Sequence, residues 1–106
     1  VKKVLFFISL LCIAITTNAG MTKKEFCKDM SSYAELVMQK RQNNTSIKTM
    51  LLAIAQSSES KGTKELMESI VEGAYSKPAY STKEFQDKSV NEYSASVYLE
   101  CKRNLN

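Results

Sequence analysis

The sequence predicts an all-α fold: a small four-helix array of two long and two short helices, in which the first and last lie antiparallel and are joined by a disulfide. Three observations carry that expectation. Apolar residues recur at spacings of three and four along four separate segments, no segment shows the strict alternation of a half-buried strand, and capping sequences stand at the helix starts. Two cysteines, Cys27 and Cys101, then fall near the beginning of the first segment and near the end of the last.

Residues 1–19 read as a bacterial-type secretory signal peptide. Lys2 and Lys3 form a positive start, Val4 to Ile15 are apolar except for Ser9, and Thr17-Asn18-Ala19 offers small residues for cleavage. The apolar run is shorter than the roughly 20 residues a membrane span needs, so no stable membrane insertion is expected after cleavage. Residues 20–106 form a single helical domain. Without Lys2 and Lys3, thirteen Lys and Arg face eleven Asp and Glu, and no run of more than two like charges remains. The composition therefore offers no basic arm for nucleic acid.

Cys12 departs with the signal, which leaves one possible intramolecular pairing, Cys27 with Cys101, in the oxidising compartment that the signal implies. Closing so long a loop is worth up to roughly 4 to 4.5 kcal/mol by the chain-entropy argument, a large share for a domain this small. The wide spacing, with no C-x-x-C, marks a structural bridge rather than a redox site.

The first helix opens at Thr22, with Glu25 completing a capping box and Met21 with Phe26 a hydrophobic staple. Its inward stripe is Phe26, Met30, Tyr33, Ala34, Val37 and Met38, and Asn43-Asn44 stops it. Thr45 or Ser46 opens the second, whose apolar face is Ile47, Met50, Leu51, Ile54 and Ala55, and the polar stretch from Ser57 to Gly62 ends it. The third runs from about Thr63, presents Leu66, Met67, Ile70, Val71, Ala74 and Tyr75, and stops at Pro78. The fourth repeats the grammar of the first: Ser81 with Glu84 is a capping box, Tyr80 with Phe85 a staple, and Val90, Tyr93, Val97 and Cys101 the stripe. A closed up-down-up-down bundle satisfies the disulfide; an irregular array of two long and two short helices is the alternative.

Little of this is chemistry. The chain has no histidine and no tryptophan, the carboxylate pairs of the third helix lie on a solvated face, and Ser60-Lys61-Gly62-Thr63-Lys64 lacks the order of a phosphate loop. No catalytic residue, metal ligand or cofactor is assigned, and an enzyme is not expected. Charges at the disulfide end nearly cancel. The opposite end concentrates Tyr75, Lys77, Pro78 and Tyr80 in one turn beside Arg41, and tyrosine and arginine are enriched at binding hot spots. Arg41, Lys77 and Tyr80 are the expected contacts for a protein partner.

Phe26-Cys27 opening the first helix, Val37 to Arg41 closing it, Ala74-Tyr75 followed by Pro78, and Tyr98-Leu99-Glu100-Cys101 near the end together resemble the small secreted two-cysteine helical proteins of gammaproteobacteria and their prophages. That resemblance implies export, helices and the disulfide, and transfers no functional residue. The expected function is a periplasmic protein-protein interaction module: an inhibitor, an immunity protein or an envelope accessory protein. The alternative is a periplasmic acid-stress chaperone, whose eleven carboxylates would have to discharge below about pH 4 because no histidine senses milder acid.

Overall fold

The computed structural model describes residues 21–105; the expected leader, residues 1–19, lies outside them. The described residues form four α-helices and no strand: α1 (Lys23–Gln42), α2 (Ile47–Gln56), α3 (Lys61–Tyr75) and α4 (Lys83–Asn104). Each start is set by a hydroxyl side chain that accepts a hydrogen bond from an otherwise orphan amide. Thr22 does this for α1 as the full capping box, with Glu25 N to Thr22 Oγ1 and Thr22 N to Glu25 Oε1 both at 3.1 Å. Ser46 caps α2 and Ser60 caps α3. The third helix thus begins two residues before Thr63, because Gly62 has an ordinary negative φ and fits the first turn instead of breaking it.

The start of α4 departs from the expected Ser81–Glu84 box by one residue. Thr82 is the cap, accepting from Phe85 N at 3.4 Å, while Gln86 N donates to Thr82 O at 3.0 Å. The shift follows from what holds Tyr80: its N–H donates to Gln42 and its carbonyl accepts from Gln86, so the chain stays non-helical through Ser81. Tyr80 and Phe85 still meet, with ring centroids 5.9 Å apart.

The α1 stop is a complete Schellman turn. Asn44 takes φ 65°, Thr45 N donates to Lys40 O at 3.0 Å and Asn44 N to Arg41 O at 3.1 Å, which satisfies the last carbonyls of the helix.

Three contacts along α1 and α4 establish that the pair is antiparallel. Cys27 near the start of α1 is bonded to Cys101 near the end of α4, with Cα atoms 5.5 Å apart. Ser31 and Ser94 meet midway at 2.8 Å, and Gln42 at the end of α1 binds Tyr80 just before α4. Val37, Met38, Ile54 and Val71 are the large buried aliphatic side chains of the core, joined by Ala34, Met50, Ile70, Ala74, Val90 and Tyr93. Burying each of the large ones contributes about 1.5 to 3 kcal/mol.

The array is irregular rather than a closed bundle. α1 packs against both α4 and α3, α2 packs on α3, and α3 meets α4 chiefly through Tyr93. That hydroxyl donates to Ile70 O at 2.5 Å, and a Cβ at Gly73 would overlap it. A seam between α3 and α4 is left partly unfilled, edged by the exposed side chains of Leu66, Tyr80, Phe85 and Leu105. Among the described residues no helix is long and apolar enough to cross a membrane.

Candidate functional site

The end of α1 and the turn between α3 and α4 form one hydrogen-bonded unit, which brings the three expected contact residues together. Arg41 and Gln42 occupy the last turn of α1, where the helix dipole favours a cation. Arg41 Nε donates to Lys77 O at 3.0 Å, and its guanidinium carbon lies 5.2 Å from the centre of the Tyr75 ring. A cation over a tyrosine face is a favourable electrostatic contact. The outer guanidinium nitrogens are therefore presented from a fixed position. Tyr75 in turn donates its hydroxyl to Thr45 O at 2.6 Å, fastening the Schellman turn to the end of α3. Burial pushes the Tyr75 phenol above its usual value, and Arg41 opposes that with a smaller downward pull.

Lys77 contributes its carbonyl to Arg41 and leaves its side chain exposed at the mouth of the seam. Tyr80 is 40% exposed, its ring resting against Phe85, which is itself 50% exposed. The turn thus offers a cation and two adjoining aromatic faces to solvent.

Gln42 makes this arrangement rigid, and it was not among the expected site residues. It is 4% exposed. Its Nε2 donates to Pro78 O at 3.0 Å and lies 3.4 Å from Met38 Sδ, while its Oε1 accepts from Tyr80 N at 2.7 Å. One side-chain amide therefore pairs with both a donor and an acceptor of the turn, as a peptide group would. A signal for it was present in the sequence: Met30, Ala34, Met38 and Gln42 recur every four residues, so a polar side chain ends an inward stripe. Among the described residues no buried side-chain nitrogen or oxygen lacks a partner.

The seam continues from this turn to the disulfide end and is divided by Tyr93. Toward the turn it opens into a cavity of about 650 Å³ whose charged lining is Lys77, Lys88 and Glu92. Toward the disulfide it becomes a more apolar cavity of about 450 Å³, walled by Phe26, Met30, Leu66, Ile70, Val97 and Leu105, with Glu100 at its edge. Tyr93 and Ser96 border both. Burial raises the Tyr93 phenol above its usual value, the Ala74 backbone exerting a smaller pull downward. Among the described residues no three His, Cys, Asp or Glu side chains gather as a metal site would require. No protein-family model, characterised protein or solved structure matches the chain.

Proposed function

We propose that the chain is an exported, periplasmic protein-protein interaction module, acting as an inhibitor, an immunity protein or an envelope accessory protein, with the α3–α4 turn as its contact surface. The observation that carries this reading is the double clamp of Arg41 and Gln42 on that turn, which fixes the backbone of Lys77, Pro78 and Tyr80 while the side chains of Lys77, Tyr80 and the adjoining Phe85 are exposed. Surfaces that are already ordered lose less conformational freedom on binding, so more of the contact energy becomes affinity. The disulfide supports the exported setting, since such bonds persist in oxidising compartments.

The acid-chaperone alternative finds less support. None of the acidic side chains is buried, and their ion pairs, Lys83 with Asp87 and Arg103 with Glu100, are exposed. Protonation would remove little that holds the fold.

The test places a photo-cross-linking residue at Lys77, Tyr80 or Lys102 in the protein expressed with its leader in its native envelope. A common adduct from positions 77 and 80 that is absent from 102 is expected, and its affinity should fall at least tenfold with Tyr80→Ala or Arg41→Ala. Adducts formed only from 102 would move the contact surface to the disulfide end and end this reading.

A further inference from the structure

We propose that the seam between α3 and α4 binds a single-chain fatty-acid anion, its chain in the apolar half and its carboxylate beside Lys77 and Lys88, at a site that shares Lys77 with the proposed partner surface.

The cavity fixes the size of the guest. At about 450 Å³ the apolar half falls within the range of small-molecule sites, and Tyr93 and Ser96 line both it and the polar half, so the two adjoin there. A helix rises 1.5 Å per residue, so Lys88 and Cys101 of α4 stand about 20 Å apart along the groove, the extended length of a long-chain fatty acid. The Tyr93 bond to Ile70 O ties the walls together at mid-seam. A partner helix, whose diameter with side chains is about 10–12 Å, would have to break that bond to insert between the walls. An extended peptide would enter more easily, yet its backbone N–H and C=O groups would find mostly Phe26, Met30, Leu66, Ile70, Val97 and Leu105. An alkyl chain has no such groups to satisfy.

Charge fixes the direction. Neither Lys77 nor Lys88 is in an ion pair among the described residues, and they outnumber Glu92 in the polar half. The apolar half carries a single charged residue, Glu100, which is paired with Arg103. A carboxylate is therefore favoured at the turn end and a hydrocarbon tail toward the disulfide.

The mature protein is titrated calorimetrically with octanoate, laurate and dodecyltrimethylammonium, all below micelle formation, with circular dichroism reporting the fold. Laurate should bind at one site, at least tenfold tighter than octanoate because each added methylene is worth about 0.8 kcal/mol, and more tightly than the cation. Ser96→Trp fills the junction of the two halves from an exposed position and should abolish binding with the helices intact. Lys88→Glu should weaken laurate several-fold and narrow the gap to the cation. Equal affinity for laurate and the cation, no dependence on chain length, or full binding by a folded Ser96→Trp protein would each overturn the proposal. So would association with phosphatidylglycerol vesicles without binding of monomeric laurate.

Discussion

Replacing Gln42 is the sharpest test of how the turn is held. Gln42→Ala removes the acceptor for Tyr80 N and the donor to Pro78 O, at 2.7 and 3.0 Å, and leaves both backbone groups without their partner in a part-buried place. Each broken bond is worth about 0.5 to 1.5 kcal/mol, with more where a group stays dry. Loss of the buried Cγ methylene adds about 0.8 kcal/mol, so the total should reach about 2 to 4 kcal/mol. The disulfide ties only the far end of α1 to α4 and cannot restore the turn.

Gln42→Glu keeps the shape and separates the two bonds. A carboxylate can accept from Tyr80 N but has no proton to give Pro78 O, and its burial favours the neutral acid. Its folded pKa therefore lies above the unfolded value near 4.3, so this variant should approach wild type below about pH 4 and lose stability as pH rises from there through its folded pKa. Urea unfolding followed by circular dichroism, at pH 4 and pH 7, measures both effects. Exposed Gln39→Ala is the control. If Gln42→Ala costs no more than Gln39→Ala, or Gln42→Glu is equally stable at the two pH values, the clamp does not hold the turn.

Thr82→Ala should cost about 1 kcal/mol in denaturant unfolding and Ser81→Ala much less, since Thr82 caps α4. Gly73→Ala should destabilise despite a helix propensity gain of about 1 kcal/mol, because its Cβ would displace the Tyr93 hydroxyl, whereas Gly62→Ala meets open space and should be neutral or stabilising. The phenol of Tyr93 must stay protonated to donate to Ile70 O, and its pKa is raised by burial. Its stabilisation should be complete below about pH 10, the unfolded value, and fade as pH climbs through the folded one; Tyr93→Phe should flatten that alkaline loss in thermal melts. If residues 1–19 are an export signal as proposed, intact mass and non-reducing peptide mapping of the protein recovered from its native envelope should give a start at Gly20 and one Cys27–Cys101 bridge; retained residues 1–19 or two free thiols would contradict the proposal.

What the sequence made legible was local. Thr22 with Glu25 marks a helix start from four adjacent residues, and the inward stripes follow from a period of 3.6, so the core formed largely as its spacing requires, except that Ile47, Ala55 and Leu66, expected on inward faces, are exposed. The errors lie where local grammar is ambiguous. Ser81 and Thr82 are both competent caps, and only the bonds from Tyr80 to Gln42 and Gln86 decide between them. Gly62 belongs by sequence to the polar stretch that ends α2, though its conformational freedom equally allows the first turn of α3. The open seam was the least legible feature. It depends on where the Tyr93 ring points, which no spacing rule specifies, whereas the disulfide only required that α1 and α4 be neighbours.

The same geometry explains why the two ends of the molecule are fastened differently. At the disulfide end a covalent bond joins α1 to α4 but leaves α3 unattached to that bridge, and there the apolar half of the seam lies open. At the other end Gln42 and Arg41 hold the chain that leaves α3, so α3 is secured at its C-terminal end and, through Tyr93, at mid-length. The N-terminal half of α3 is thus held to α4 only by the packing that both share with α1. Leu66 lies on that half and Ile70 sits at the Tyr93 fastening, so the seam is held less firmly at the apolar cavity than at the turn. Breaking the Tyr93 bond with Tyr93→Phe would release the middle fastening alone, and hydrogen exchange should then rise at the amides of α3 around Leu66 and Ile70 before it rises at Tyr80.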